Sequence, residues 1–412
     1  MQHPSGSAIH NERIAVVDVL RAVALFGIII THCAQGYLAA RPPRPGIMIL
    51  SPLDDIVADL VMVFAVGKFF TIFSFLFGLS FALQMNSAAR KGSAFTGRFI
   101  WRLVVLGLIA LVHNLFYAGD ILIIYVFLGL LLIPFRALNN KMLLVVALAL
   151  VLNVPGLFIG WRGLNAPPPT AEQQRVAAQE RAQAQQDAQR QFDIKKSGPP
   201  GEIMRLNLTS GLESKLAFQI RSGRLWMTFG LFLLGLCAGR LEIFRDSEAH
   251  RAFFRRLMWG GGALALGTTL IAFFPPAGLM ATSVGELIAS FSRTVQQASL
   301  SAFYAAAVVL LYWRRPAQGL LPRLAPVGKM GLTIYLTQTA FGVLLFYGFG
   351  LGMIGEIGVA WAVGLGILFF VVQVLLARWW MARFSMGPVE WLWRSLTYFK
   401  LQPNTRAAVN AA

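Results

Sequence analysis

Two ionisable side chains flank a short turn in an otherwise apolar stretch of the chain, HNLFYAGDILIIY at 113–125. His113 ends one apolar segment and Asp120 opens the next, with Gly119 at the reversal between them. A carboxylate bonded to a histidine fixes the tautomer and stabilises the imidazolium, which makes the histidine a general base. Ionisable groups in lipid are costly, so each indicates a function. We therefore expect His113 and Asp120 to meet at one membrane surface as catalytic base and orienting group.

Two other ionisable residues inside apolar segments are catalytic candidates. His32 lies near the end of the first segment and could be an alternative base or a transient acyl carrier. The structural alternative for His32 is a side chain that snorkels to the membrane boundary. Lys68 lies well inside the second segment, where an ammonium group must pair or lose its proton, and it could stabilise an oxyanion.

Polar residues follow single helix faces in several other apolar segments. Arg21 and His32 are 11 residues apart, as are Arg102 and His113, and this spacing places both members of each pair on one face of a helix. A single Thr or Gln in a membrane helix more commonly bonds a neighbouring helix, so it is the accumulation of such residues that indicates a hydrated interior. The candidate substrate-binding residues are Arg21, Arg102, Tyr125, Arg293, Gln297, Thr333, Tyr335 and Gln338.

The elements that must position these residues are membrane-spanning helices. Of the 412 residues, 57% are hydrophobic and 13% are charged, well below the roughly 25% charged content of soluble domains. Ten apolar segments of about the ~20 residues that cross a bilayer predict an all-α polytopic transmembrane bundle in two five-helix halves. The net charge of +18 falls in short clusters between these segments, which favours membrane orientation over nucleic-acid binding. The two cysteines and the absence of metal-ligand spacing predict neither a disulfide framework nor a metal site.

The short loops predict the orientation of the bundle. Lys and Arg cluster after the second, fourth, sixth, eighth and tenth apolar segments and are sparse in the alternate loops. By the positive-inside rule both termini are cytoplasmic, and His113 and Asp120 face the extracytoplasmic side. The parts expected are a polar cytoplasmic tail at 1–13, a five-span half at 14–162, a polar extracytoplasmic insertion at 163–223, a second five-span half at 224–378, and an amphipathic, basic cytoplasmic tail at 379–412.

The insertion has a composition unlike that of the rest of the chain. It is rich in Ala, Gln, Glu and Arg, which favour helix, and it has no apolar stripe. We expect a solvated helix or arm, and the alternative is a dedicated binding arm.

Several motifs resemble those of the YeiB-like bacterial integral membrane proteins, a family of unknown function. The resemblance includes DVLRAVALFGIII at 18–30 and KFFTIFSFLFGLSFAL at 68–83, and its most specific strings are GDIL at 119–122 and GPVEWLWR at 387–394. Ala22 stands where the family generally has glycine, which is a departure. The resemblance covers nearly all of the chain outside the insertion and implies a multi-pass protein of the bacterial inner membrane.

The first segment is also similar to that of membrane acyltransferases, such as the bacterial sugar O-acyltransferases and the lysosomal glucosamine N-acetyltransferase. The shared pattern is Asp-x-x-Arg followed by an apolar run and a histidine. Those proteins move an acyl group from cytosolic acyl-CoA to an acceptor on the far side of the membrane. The similarity implies acyl-CoA as donor, a small-molecule or glycan acceptor, and Arg21, Arg102 and Arg240 as contacts for the CoA phosphates.

Three functions stay open on the sequence alone. The first is acyl transfer, the second is transport with the same residues as proton relay or gate, and the third is a non-catalytic membrane scaffold. A basic cytoplasmic pocket with a tunnel leading to His113 would favour acyl transfer, whereas discontinuous helices around a closed cavity at the membrane midplane would favour transport. The expected partners are the lipid bilayer, the acceptor and, in a homo-oligomer, further copies of the chain.

Overall fold

The computed structural model describes residues 6–39, 42–43, 46–90, 92, 94–276, 278–314 and 319–405, with backbone alone at 6–14 and 281. Within these ranges the secondary structure is helical, apart from one isolated bridge between Phe384 and Thr405. The predicted all-α class is therefore confirmed.

Seven helices precede the insertion. The first begins at Gly6, inside the predicted polar tail. Ser51 and Asn139 accept main-chain N–H groups at the starts of the second and sixth helices, as N-cap residues do. The bounds are α1 Gly6–Ala34, α2 Pro52–Phe64, α3 Phe69–Arg90, α4 Thr96–Phe116, α5 Leu122–Phe135, α6 Asn140–Val151 and α7 Val154–Leu164.

The insertion forms three helices. The first begins with a capping box in which Thr170 and Gln173 each bond the main chain of the other. Much of that helix is exposed, as a solvated helix is, but Phe192 and Lys195 near its end are buried. The bounds are α8 Ala171–Ser197, α9 Pro200–Leu208 and α10 Ser210–Arg221.

The C-terminal half follows the same helical pattern. A 3₁₀ turn at Leu279–Ala281 precedes its longest helix. The bounds are α11 Arg224–Arg240, α12 Glu248–Phe273, α13 Ser283–Arg314, α14 Leu320–Lys329, α15 Gly331–Phe346, α16 Val359–Arg383 and α17 Pro388–Tyr398.

The helices have the length and hydropathy of a multi-pass membrane protein. Five helical stretches in the described residues are long and apolar enough to span a bilayer, and the number rises to eight if each of three bent helix pairs is one span. The bends are 47° between α6 and α7, 70° between α10 and α11, and 85° between α14 and α15. The count of ten spans and the cytoplasmic position of both termini stay predictions.

Helix α1 lies at the centre of the bundle and packs against α3, α14, α15 and α16. Every residue from 15 to 34 is buried or half-buried, which explains why this helix is apolar on nearly all sides. Close helix crossings use glycine: a Cβ at Gly328 of α14 would lie 1.8 Å from the main-chain oxygen of Asp18. The packing around α1 therefore brings together residues far apart in sequence.

Candidate functional site

The central pair of the site is His113, in the last turn of α4, and Asp120, just before α5. His113 Nδ1 lies 2.9 Å from Asp120 Oδ1, and the pair is buried. Asp120 Oδ2 accepts the main-chain N–H of Ile123 at 3.2 Å, so the carboxylate also holds the start of α5. His113 Nε2 is buried and has no hydrogen-bond partner among the described residues. The histidine is thus oriented through one nitrogen and free at the other.

Aromatic side chains surround this pair and connect it to His32. The Tyr335 hydroxyl lies 3.5 Å from Asp120 Oδ1, and its ring centroid lies 5.2 Å from that of His113. The Tyr117 ring lies between the two histidines, with its centroid 5.4 Å from that of His32 and 6.3 Å from that of His113. His32 Nδ1, like His113 Nε2, is buried without a partner in the described structure. Two histidines, each with one ring nitrogen unpaired in the described part of the chain, therefore lie close to the same tyrosine ring.

The Tyr117 ring packs against Gly119 in the turn between α4 and α5. A Cβ on Gly119 would lie 2.4 Å from both Cζ and the hydroxyl of the Tyr117 ring. Gly119 does not have a positive φ. The glycine is therefore required by space rather than by backbone conformation.

Lys68 lies in the break between α2 and α3. Its ammonium group is buried and donates to the main-chain oxygen of Met62 at 3.1 Å, rather than to the His113–Asp120 pair. The main-chain oxygen of Lys68 accepts from the hydroxyls of Thr71 and Ser301. Such bonds satisfy the polar groups that a broken membrane helix leaves unpaired. In this structure Lys68 and its neighbours stabilise the break.

Tyr125, Arg293 and Gln297 lie in two other environments. The Tyr125 hydroxyl is 2.7 Å from the Ser74 hydroxyl and is buried. Arg293 and Gln297 lie on α13. Together with Arg224 they line a separate cavity of about 140 Å³. The predicted substrate-binding residues therefore do not form one surface.

The arginines that the acyltransferase similarity assigns to CoA have protein partners. Arg21 pairs with Asp18 at 2.5 Å, and its side chain is 25% exposed. The Arg102 guanidinium carbon lies 3.9 Å from the ring centroid of Trp393. Arg240 donates to the main-chain oxygen of Leu138 at 2.7 Å.

Thr333 and Gln338 join helices to one another. Glu390 of α17 accepts from the hydroxyl of Thr333 at 2.6 Å and from its main-chain N–H at 3.0 Å. Gln338 Nε2 lies 3.2 Å from Gln373 Oε1 on α16. Both sets of bonds are of the interhelical kind that is common for Thr and Gln in membrane proteins.

Three further residues, of the site itself or of the helices around it, were not predicted from the sequence. Tyr117 lies within the HNLFYAGD stretch and Glu390 within GPVEWLWR, but neither was singled out as a site residue. Arg224 stood at the expected boundary of a span, where arginine is common. In the structure its guanidinium carbon lies 4.0 Å from the ring centroid of Phe70, and His32 and Tyr117 are among its electrostatic neighbours.

The described residues contain no group of three His, Cys, Asp or Glu side chains arranged to hold a metal ion. The chemistry that the central pair can perform is proton transfer at His113 Nε2, because Nδ1 is already bonded to Asp120.

Comparisons with known proteins identify the family of the chain. The family model DUF418, described as a protein of unknown function, matches residues 238–400. YxaH of Bacillus subtilis (strain 168), an uncharacterized protein, is 30% identical over 95% of this chain and 96% of its own length. YeiB of Escherichia coli (strain K12), also uncharacterized, is 27% identical over 94% of this chain and 96% of its own length. No solved structure matches the chain. The chain therefore belongs to the YeiB-like, DUF418 family of proteins, whose function is unknown.

Proposed function

We propose that this protein is an acyltransferase of the bacterial inner membrane in which His113 is the general base and Asp120 its orienting group. The observation that carries the proposal is the 2.9 Å contact between His113 Nδ1 and Asp120 Oδ1, with Nε2 of the same ring free and buried. In this arrangement Nδ1 donates its proton to the carboxylate and Nε2 is the acceptor. That is the tautomer a base needs in order to deprotonate a hydroxyl or amine.

In the proposed reaction this free nitrogen first accepts a proton and then donates it. His113 Nε2 removes the proton of an acceptor hydroxyl or amine as the acceptor atom bonds to the acyl carbonyl carbon. The thioester carbon–sulfur bond then breaks, and the leaving thiolate takes the proton from the imidazolium. His32, whose Nδ1 is also free, is the alternative carrier of the acyl group between donor and acceptor. In both routes Asp120 stabilises the positive charge on His113.

The proposed donor is acyl-CoA. The contacts and the exposure of the basic side chains support a choice among the possible contacts for its phosphates. The Arg102 guanidinium lies over the Trp393 ring and Arg240 donates to a main-chain oxygen, so a phosphate would have to share each of them with an existing contact. The Arg21 side chain is partly exposed to solvent. Lys329, which is also exposed, is a second basic neighbour of Asp18. We assign the phosphate contacts to these two residues. Arg21 is ~16 Å along α1 from His32, so the acyl arm would run beside this helix.

Transport is a second candidate, supported by a different observation. Helices α6–α7 and α10–α11 are bent by 47° and 70°, and both bends border the cavity that contains Arg224 and Arg293. Discontinuous helices around a polar cavity are typical of secondary transporters. On this alternative the His113–Asp120 pair would relay protons rather than activate an acceptor.

The two functions predict different fates for the donor. Purified protein in proteoliposomes would be supplied on one side with acetyl-CoA labelled in its acetyl group. Acyl transfer predicts release of free CoA thiol with label on the protein or on an acceptor. Transport predicts movement of a labelled solute across the membrane without thiol release. If no binding, labelling or hydrolysis of acetyl-CoA is found, the acyltransferase proposal is abandoned.

A further inference from the structure

A cavity lies where three interruptions of the helical chain meet. Its wall includes Asn153, at the bend between α6 and α7, and Ser222, at the bend between α10 and α11. It also includes Gln297 of α13, which packs over Gly67 so closely that a Cβ there would lie 2.3 Å from Oε1. Membrane proteins tolerate broken helices where the backbone lines a cavity. The volume of about 140 Å³ holds more than one water, so a polyatomic group can enter.

The wall of this cavity is positively charged. Arg224 and Arg293 both line it, and its described lining residues include no Asp or Glu. Arg293 is exposed, and the ion pairs of the described residues do not include it. Two arginines that line one cavity without an acidic residue in its described lining favour a bound anion.

The Arg224 side chain is oriented by packing but has a hydrogen-bond donor without a partner in the described structure. Its guanidinium stacks 4.0 Å from the centroid of the Phe70 ring, which orients its plane. Its Nε is buried and has no hydrogen-bond partner among the described residues. A buried donor of this kind costs free energy unless a partner accepts from it. Arg224, a lining residue of the cavity, therefore lacks a full set of protein partners within the described ranges, which is an observation independent of the charge.

The start of α11 adds further donors. Its N-cap is Gly223, which has a φ of 71° and provides no side-chain cap. The first N–H groups of a helix lack intrahelical partners, and together with the helix dipole they attract anions. A Cβ on Gly223 would lie 2.4 Å from Asn153 Nδ2, so the glycine also lets the two bends meet.

We propose that this cavity binds a phosphate-type oxyanion, either a phospholipid headgroup or the phosphate of a soluble ligand. A phosphate has enough oxygens to accept from two arginines and from the helix start at once. Ser222 and Arg293 are exposed, so the outer edge of the site can be reached. The described cavity lining does not include His113 or Asp120, and occupancy of the cavity does not depend on acyl transfer.

Binding is measured without turnover, on the full chain in phosphatidylcholine nanodiscs. Inorganic phosphate is titrated by calorimetry, and in a parallel arm nanodiscs containing phosphatidylglycerol are analysed by native mass spectrometry for retained lipid. In Arg293→Gln we expect affinity for the bound probe to fall about tenfold or more, because one charge-assisted pair is lost. Arg162→Gln is the matched control, since Arg162 is an exposed arginine of α7 outside the cavity lining.

Each result has a defined meaning. Saturable phosphate binding that Arg293→Gln weakens identifies a soluble phosphate ligand. Retention of phosphatidylglycerol that Arg293→Gln abolishes, without binding of free phosphate, identifies a lipid headgroup. The proposal is overturned if neither probe binds, or if Arg162→Gln weakens binding as much as Arg293→Gln. The thermal unfolding midpoint of each variant without ligand verifies that it is folded, and Arg224→Gln repeats the test at the second arginine.

Discussion

The side-chain amide of Asn114 donates to the main-chain oxygen of Asn207 at 3.1 Å, which joins the residue next to His113 to the insertion. Asn207 in turn donates to the main-chain oxygen of Leu115 at 2.9 Å, and Lys215 Nζ lies 2.5 Å from Asn114 Oδ1. Asn114 and Asn207 are fully buried. The insertion is therefore packed directly on the turn that carries the catalytic candidates, and its docking and the geometry of that turn are coupled.

Asn114→Ala should loosen the insertion. The change removes the donor to Asn207 and leaves the ammonium group of Lys215 without its acceptor, a loss of about 1–3 kcal/mol for a buried polar group. We expect faster hydrogen exchange in α9 and α10, measured by mass spectrometry. Asn165→Ala is the control, because Asn165 is exposed and bonds only within its own turn. Equal exchange in both variants would contradict this account of docking.

The docking of α8 should depend on pH through Lys195. Burial lowers the pKa of Lys195 to about 8, and its ammonium group donates to the main-chain oxygen of Leu38. An undocked lysine has a pKa near ~10.4, so the undocked state binds more protons between these two values. Docking should therefore strengthen as pH rises from about 8 to ~10.4 and be constant below that range.

The measurement for Lys195 is exchange of the Gly348 amide, which donates to the main-chain oxygen of Lys195 at 2.9 Å. After correction for intrinsic exchange rates, its protection should increase through this pH window. The dependence should vanish in Lys195→Met and persist in Lys196→Gln, because the Lys196 side chain is partly exposed and pairs with Glu356. A pH dependence that survives in Lys195→Met would rule out this lysine as its source.

Gly119→Ala should destabilise the protein and disturb the site. The new methyl group would overlap the Tyr117 ring, which is 2% exposed and cannot move into solvent. Overpacking of this kind costs about 1–3 kcal/mol. Thermal unfolding in detergent measures the effect, with Gly97→Ala as a control that meets no atom within 4 Å. A melting temperature for Gly119→Ala equal to that of Gly97→Ala would show that the Tyr117 ring can move aside without a cost in stability.

Glu390→Ala should destabilise the start of α15, the helix that carries Tyr335. Glu390 Oε1 accepts from the main-chain N–H groups of Leu332 at 2.6 Å and Thr333 at 3.0 Å. Without the carboxylate these donors are unpaired, at a cost of about 1–3 kcal/mol. Unfolding by denaturant measures it, against Glu180→Ala on the exposed face of α8. If both variants unfold alike, Glu390 does not hold this helix.

Local patterns in the sequence predicted the helical class and the approach of His113 to Asp120. Both follow from short-range features, namely apolar segments of membrane length and two ionisable residues around one turn. The breaks in the helices were harder to predict, because the stretch Pro52–Arg90 is apolar over most of its length and only Gly67 and Lys68 mark the interruption.

Contacts between residues far apart in the chain could not be predicted from the sequence. The bond of Glu390 to Thr333 and the burial of Lys195 depend on how separate helices pack. The polar composition of α8 hides the buried end of that helix, since Phe192 is a single aromatic residue in a long run of polar ones. Arg224 was missed for the opposite reason, because an arginine at the edge of a span is ordinary.

The most direct test of the proposed function compares His113→Ala with the wild type in one assay. Purified protein is incubated with acetyl-CoA labelled in the acetyl group, and label on protein or acceptor and release of CoA thiol are followed. We expect turnover by the wild type and by His250→Ala, because this histidine bonds the main-chain oxygen of Arg245 at 2.6 Å, away from the site. In His113→Ala the rate should fall by about 10²–10⁴-fold, as expected for loss of a general base. A His113→Ala rate equal to that of the wild type, or a wild type that does not act on acetyl-CoA at all, would contradict the proposed function.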